Sequence, residues 1–205
     1  MAAGVFLYLF LRTPGADFNP KPHQALGRVV AEEAMKLIQG DGRLIVFARD
    51  FKSFESPAMK AQWGGFCEAV ANGKVKIAST NWLQVDPLRT PSLPAGGYVE
   101  RAQRAGSNDV IVSFLGLPEL TEAQLRRLEA KRVQLVAVCT GNTPLRTNMR
   151  RLFERQWLQV AIISRPIPLP QPSENAPWRA WFDGLFQVIT AAEAADLPIP
   201  AGERL

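Results

Sequence analysis

The stretch that decides the fold is DVIVSFLGLP, residues 109–118. It is an almost unbroken run of apolar residues that begins at Asp109 and ends at Gly116 and Pro118. A strand with one solvated face alternates polar and apolar residues, whereas a continuous apolar run is typical of a strand buried on both faces of a parallel sheet. We therefore predict a central buried strand here.

Similar apolar runs lie on both sides of this stretch, and a helical pattern separates each from the next. The runs are RLIVFA at 43–48, KVKIAS at 74–79 and VQLVAV at 133–138, and a further strand is expected at 158–164. The helices are expected at 24–39, 57–71, 98–105, 121–130 and 143–153. Parallel strands need such crossovers, and crossovers are right-handed. The chain therefore predicts an α/β fold with a doubly wound parallel sheet of about five strands, in the order 2-1-3-4-5, which is flavodoxin-like.

Short motifs support two of these helices. A serine and a proline at 56–57 suit an N-cap and the first helical position, and Thr121 with Gln124 matches a capping box. Gly64 and Gly65 lie within the second helix, where each glycine costs about 1 kcal/mol relative to alanine. We therefore expect this helix to pack closely against the sheet.

Composition narrows the range of functions. The 205 residues are 47% hydrophobic, which suits one domain with a real core, and the net charge is +5. Lysine and arginine are dispersed without a basic block, which argues against nucleic acid as a partner. Cys67 and Cys139 lie far apart, and His23 is the only histidine, so Cys/His zinc ligation is not expected. Two buried thiols are favoured over a disulfide, and neither a metal nor a cofactor is expected.

The two ends of the chain differ from its middle. The first residues, MAAGVFLYLFL at 1–11, are apolar but too few to span a bilayer, which needs about 20. Their length matches the core of a signal peptide. We expect 1–11 to be the remnant of a membrane anchor or signal, and the alternative is an N-terminal strand that packs on the domain.

The remaining segments follow from composition as well. Residues 12–22 form a spacer, and the α/β domain is expected at 23–165. Residues 166–205 begin with proline at every second position, which favours an extended chain. An amphipathic helix is expected at 178–195, with an apolar face formed by Trp181, Leu185, Val188 and Ile189.

The topology of the sheet predicts where a ligand would bind. In an open α/β sheet, ligands bind outside the carboxyl ends of the strands, beside the point where the strand order reverses. Here that crevice lies between the loops that follow the first and third strands. The expected ligand-binding residues share this edge and are Arg49, Asp50, Phe51, Ser53, Asn81, Trp82, Gly116, Thr140 and Asn142.

The side chains at this edge favour a polar ligand. A guanidinium donates hydrogen bonds and a carboxylate accepts them, so Arg49 and Asp50 suit a polar solute. The alternative is that the two pair with each other or with helix ends. Trp82 is the one tryptophan that we expect near a ligand, and the alternative for it is a role in the core.

Catalytic motifs are not found in the sequence. It contains no GxSxG, GxGxxG or GxxxxGK[ST] pattern, and His23 precedes the sheet. The carboxylates Asp50, Glu55 and Asp86 have no spacing that singles out an acid/base pair. No catalytic residue is therefore assigned. The long loop at 84–97 is expected either to be functional or to cover part of the core.

The residues also resemble a known family. RLIVFARDFKSFESPAMKAQWGGFCEAV at 43–70 is similar to the first strand, loop and helix of type I periplasmic solute-binding proteins and related repressor effector domains, including the glycine-aromatic pair Gly65-Phe66. DVIVSFLGLP and VQLVAVCTGN resemble two later strands of that family. The resemblance covers about residues 43–165. It implies a periplasmic-binding-protein-like lobe with ligand contacts at Asp50, Phe51 and Asn142.

The resemblance also sets the functional expectation. The family binds its ligand in a cleft between two such lobes, and this chain is long enough for one, so a homodimer would have to supply the other half. We expect a non-enzymatic module that binds or senses a small polar ligand such as a sugar, membrane-anchored or exported to the periplasm. The alternatives are a structural or protein-interaction module that uses the 84–97 loop and the 178–195 helix, and, less favoured, a flavodoxin-like-fold enzyme.

Overall fold

The computed structural model describes residues 18–50, 56–84, 92–129, 131, 133–141 and 143–199. Within these ranges the chain forms a six-stranded sheet in the order β2-β1-β3-β4-β5-β6. The strands are β1 (Leu44–Arg49), β2 (Ile77–Leu83), β3 (Val110–Ser113), β4 (Gln134–Cys139), β5 (Val160–Ser164) and β6 (Phe186–Ile189). The first five are parallel, and β6 pairs antiparallel to β5. The predicted α/β class and the order 2-1-3-4-5 are confirmed.

Helices cover both faces of the sheet. They are α1 (Lys21–Leu37), α2 (Pro57–Asn72), α3 (Ala95–Arg104), α4 (Glu122–Glu129), α5 (Thr143–Arg146), α6 (Met149–Glu154) and α7 (Trp178–Leu185), with a 3₁₀ turn at Ala194–Asp196. Buried residues of α1, α2 and α7 form one core with the sheet, and those of α3, α4 and α6 form a second core on the opposite face. Val110, Val112 and Ile111 of β3 are fully buried between these two cores. None of the described helices is long and apolar enough to cross a membrane.

The end of the chain differs from the sequence prediction. The helix expected at 178–195 ends at Leu185, and the next four residues form β6. β6 pairs along the outer edge of β5, with Ile162 opposite Val188. The aromatic and β-branched residues of FQVI favour a strand once an open edge is available, so sheet pairing outweighs the helical spacing of the apolar residues. Of the predicted helical face, Trp181 is buried, whereas Leu185 lies at the surface.

Two capping predictions are confirmed, and two boundaries move. The Ser56 hydroxyl accepts a hydrogen bond from the Met59 amide, and the amides of Thr121 and Gln124 donate reciprocally to the other's side chain. The helix expected at 143–153 is divided in two, because Asn148 caps the start of α6. Part of the loop expected at 84–97 covers the core, since Leu93 is only 1% exposed and α3 already begins two residues later.

The turn between α2 and β2 explains why β2 begins later than predicted. Lys74 lies in the left-handed region, with φ of 55°. Its amide donates to the carbonyl of Ala71, and the amide of Val75 donates to that of Val70, the paired bonds of a Schellman cap. Residues 74–75 thus complete the end of the helix, although the apolar pattern extends the predicted strand back to Lys74.

Glycines allow α1 and α2 to pack unusually closely. A Cβ atom added at Gly27 would lie 1.9 Å from the Gln62 carbonyl oxygen, and one added at Gly65 would lie 2.2 Å from that of Gln24. Gly64 has no heavy atom within 4 Å of the same position. The predicted close packing of α2 is therefore against α1 rather than against the sheet, and it depends on Gly65 alone of the pair.

A buried carboxylate joins the starts of β1 and β3. Asp109 is 4% exposed, and its Oδ1 accepts from the Arg43 amide at 2.9 Å and its Oδ2 from the Gly106 amide at 2.9 Å. The Arg43 guanidinium donates to both oxygens, at 3.4 Å and 3.3 Å. Burial tends to raise the pKa of Asp109, but the hydrogen bonds from Gly106 and Arg43 and the positive charge of Arg43 outweigh it and leave the pKa below its usual value.

We predict that Asp109→Asn destabilises the fold by about 2 kcal/mol at neutral pH, because a neutral amide cannot accept all four hydrogen bonds. Since the folded-state pKa is lowered, the carboxylate's contribution is complete above the unfolded-state pKa of about 4 and is lost as the pH falls through the folded-state value. Urea unfolding from pH 7 to pH 3 should therefore show a smaller acid-induced loss in the variant. The control is Asp41→Asn in the neighbouring turn, where the side chain is exposed. Equal acid-induced losses in Asp109→Asn and the wild type would contradict this role.

We predict opposite effects for two adjacent substitutions in α2. Gly65→Ala should cost roughly 1–3 kcal/mol in the free energy of unfolding, because its methyl group overlaps the backbone of α1. Gly64→Ala should instead stabilise by up to about 1 kcal/mol, since alanine has the higher helix propensity and the site is open. Denaturant unfolding of both variants measures the difference. Similar effects of the two substitutions would show that the α1–α2 contact is not tight.

Candidate functional site

The carboxyl ends of β1 and β2 bring several predicted residues together. Ala48 lies opposite Trp82 and Arg49 opposite Leu83 in the sheet register. The amide of Asp50 continues the pairing by donating to the Leu83 carbonyl at 2.8 Å. Arg49, Asp50 and Trp82 are therefore neighbours, as expected for the edge where the strand order reverses.

An aromatic cluster lies beside them. The Trp63 ring of α2 meets the Trp82 ring edge to face, with 4.9 Å between centroids, and Phe114 lies 6.4 Å from Trp63 on the other side. Phe66, which is fully buried, packs edge to face on Phe114 at 5.4 Å. Trp82 remains 42% exposed. The cluster thus holds one indole in place while leaving part of its surface open to solvent.

These side chains form a shallow recess, which we call the aromatic recess. It is lined by Ala48, Arg49, Met59, Gln62, Trp63, Trp82 and Phe114. Its volume is about 10 Å³ among the described residues, which is about the room for one water molecule. Sites that enclose a small molecule usually measure about 300–1,000 Å³. The described part of the recess therefore offers a contact surface and does not enclose a sugar by itself.

Other polar residues of this edge are committed to the protein. The Asn81 side-chain amide donates to the Val46 carbonyl at 3.2 Å, so its nitrogen joins β2 to β1. Arg49 and Asp50 are half-buried, and each interacts with other groups of the protein. A ligand here would have to add to these contacts or replace them.

The turns after β3 and β4 bring together a second group. Gly116 is buried with φ of 79°, a conformation that favours glycine. A Cβ atom at this position would lie 3.8 Å from the Thr143 methyl group. The Thr143 hydroxyl donates to the Thr140 carbonyl at 3.1 Å, and the Gly141 amide donates to the Ser164 hydroxyl at 3.4 Å. Gly116 and Thr140 therefore belong to adjoining turns and chiefly shape the main chain.

Sequence reasoning places this edge correctly but misses two of its side chains. Trp63 and Phe114 line the recess and fall outside the predicted set. A useful indication for Trp63 is its place in the first half of α2, the part of the helix nearest the carboxyl end of β1. Three predicted residues, Phe51, Ser53 and Asn142, lie outside the described part of the chain.

The chemistry of this edge suits binding. Trp82 offers an apolar face, and Arg49 and Asp50 bring a donor and an acceptor beside it. His23 stacks on Phe18 at 5.4 Å in α1 and lines none of this recess, and burial lowers its pKa. Cys139 is a free, buried thiol whose pKa is raised by burial to about 12. The described residues include no group of three or more side chains suited to hold a metal ion.

Comparisons with known proteins establish the fold. No protein-family model matches the chain, and no curated protein matches it in sequence. A carbohydrate transporter solute-binding protein from Agrobacterium radiobacter, in complex with D-arabinose, matches with a TM-score of 0.51 and 12% identity, over 85% of this chain and 61% of that chain. A putative LacI transcriptional regulator from Bacteroides fragilis matches with a TM-score of 0.50 and 12% identity, over 86% of this chain and 62% of that chain.

These matches confirm the predicted resemblance at the level of the fold. The chain has a periplasmic-binding-protein-like α/β fold and spans about 61% of the length of the solute-binding protein that it matches. That share is consistent with a single lobe. Identities of 12% show a shared fold, and the ligands of those proteins do not follow from it.

Proposed function

We propose that this chain is a solute-binding module of the cell envelope, and that its carboxyl-edge recess contacts a small polar ligand such as a sugar. The observation that carries the proposal is the exposed face of Trp82 beside Arg49 and Asp50 at the reversal of strand order. Support comes from the fold, which is shared with a solute-binding protein in complex with D-arabinose and with a LacI-type regulator.

Sugar chemistry fits these side chains. One face of a pyranose or furanose ring carries C–H groups that pack on an indole, while its hydroxyls need donors and acceptors. Trp63 fixes the Trp82 ring from the side, so that little side-chain freedom remains to be lost on binding. Arg49 and Asp50 supply charge-assisted hydrogen bonds of both kinds.

A recess of about 10 Å³ needs a second body to enclose a ligand. Three apolar side chains at the carboxyl edge support contact with such a body: Leu145 is 61% exposed, Ile167 is 80% exposed and Leu169 is 50% exposed. Leu145 follows β4, and the other two follow β5. We propose that a second copy of the chain packs over this edge and completes the cleft.

The same exposed residues favour a second candidate function. Ile167 and Leu169 belong to the proline-spaced segment, which is fixed to the domain by the Leu169 amide and the Gly184 carbonyl at 2.9 Å. A fixed, extended apolar segment suits recognition by another protein. In this alternative the carboxyl edge is a protein-interaction surface without a small ligand.

The binding proposal predicts a sugar-dependent gain in stability. Full-length protein should melt several degrees higher with a pentose or hexose at about 100 times its dissociation constant, which corresponds to roughly 2.7 kcal/mol. Trp82→Ala should abolish the shift, because the stacking face is lost. The matched control is Trp157→Ala, which removes an indole outside the recess that packs against Arg155. Thermal unfolding measures all three proteins.

Two outcomes would contradict sugar binding at this recess. One is a full sugar response in Trp82→Ala, and the other is no response of the wild type to any tested sugar. In the second case, sedimentation of the wild type beside a double variant, Ile167→Ser with Leu169→Ser, tests the interaction alternative. Self-association that the double variant loses would support it.

We also propose that residues 1–11 hold the domain at a membrane and that residues 12–22 act as its spacer. Full-length protein should then remain in the membrane fraction after an alkaline wash, and a variant lacking 1–11 should be released. Because the apolar run is the anchor, replacing its residues 5–11 by polar residues should have the same effect. Recovery of the full-length protein in the soluble fraction would contradict the proposal.

A further inference from the structure

A much larger cavity lies at the opposite end of the sheet. It measures about 530 Å³ and is formed by the turns that precede β1, β2 and β3. We call it the amino-edge groove. Its volume falls within the usual range of small-molecule sites, about 300–1,000 Å³. We propose that the amino-edge groove binds a small solute that carries a phosphate group.

The charges of the lining carry the proposal. The ionisable groups are Asp41, Arg43, Lys74, Lys76 and Asp109. Asp109 is neutralised locally by its bonds to Arg43 and Gly106. Both lysines are exposed, and within the described ranges neither takes part in a salt bridge. Two ammonium groups two residues apart on one wall, without anionic partners, suit the oxygens of a phosphate.

Arg43 adds a fixed third cation. Its Nε and Nη2 atoms bind the two oxygens of Asp109 at 3.4 Å and 3.3 Å, which orients the plane of the guanidinium. The side chain is nevertheless 52% exposed. The remaining N–H groups are therefore held in one orientation at the groove, and a donor that is already oriented loses less entropy when an anion binds.

The backbone of Lys74 is a second, independent observation. Its left-handed conformation, with φ of 55°, is one that glycine adopts at much lower cost. The glycine of this turn occupies the preceding position, because a Cβ atom at Gly73 would lie 2.3 Å from the Met35 sulfur. The strained residue that lines the groove is thus a lysine. Strained residues of this kind concentrate at ligand sites.

The shape of the groove limits the ligand to a small molecule. The five ionisable groups of the lining sum to one positive charge, three cations against two anions. That balance is too weak for a polyanion such as a nucleic acid, whose binding depends on many phosphate contacts. A concave site with three cations instead suits one phosphate group, with main-chain and side-chain groups of Ser107 and Asn108 left for the rest of the solute.

The test uses the full-length protein with inorganic phosphate and with glucose 6-phosphate, at constant ionic strength set with sodium chloride. Thermal unfolding should show a saturable increase in melting temperature for both probes. A double variant, Lys74→Gln with Lys76→Gln, should weaken the apparent affinity at least about tenfold, which is about 1.4 kcal/mol. The control, Arg126→Gln with Arg127→Gln, removes the same charge from exposed positions of α4 and should leave the affinity unchanged.

Lys74→Gly separates binding from folding. Without phosphate, this variant should melt at a higher temperature than the wild type, because glycine relieves the left-handed backbone. With phosphate, its response should be weaker, because one ammonium is lost. An equal phosphate response in the wild type and the Lys74/Lys76 variant would overturn the proposal, and so would a wild type that responds to neither probe.

Discussion

The fold depends on the carboxylate of Asp109. It accepts two main-chain and two guanidinium hydrogen bonds, and these join the turn before β3 to the first residue before β1. β1 and β3 are the strands between which the chain reverses its direction of growth across the sheet. One buried group therefore fixes the register at the centre of the molecule. A charge in this position is tolerated because every oxygen has partners, which is the condition for burying a carboxylate.

The core strands could be predicted because their chemistry is local. Buried parallel strands read as continuous apolar runs, so β1, β3 and β4 follow directly from the sequence. β6 could not be predicted in this way, since FQVI forms a strand only because β5 offers it an open edge. The start of β2 was wrong for a related reason: hydrogen bonds to the end of α2 hold Lys74 and Val75, and apolar periodicity does not report such bonds. Contacts between distant segments decide both cases.

The position of the candidate site could also be predicted, but not its composition. Strand order alone places Arg49, Asp50 and Trp82 at one edge, and the register confirms that they are neighbours. Asn81 has the right position but uses its amide nitrogen to hold β1. Trp63 and Phe114 enter the recess through the packing of α2 on the sheet, which depends on the close approach at Gly27 and Gly65. Such an approach is not visible in residue spacing.

The two edges of the sheet differ in what each still needs for binding. The carboxyl edge has aromatic surface and a recess of about 10 Å³, so a ligand there gains burial only when another body closes over it. The amino-edge groove already has about 530 Å³ and three cations, and it needs no such closure. Affinity at the first edge would therefore depend on protein concentration or on a partner, whereas affinity at the second would depend on salt, because exposed lysines are screened. These dependences distinguish the two edges even before a natural ligand is known.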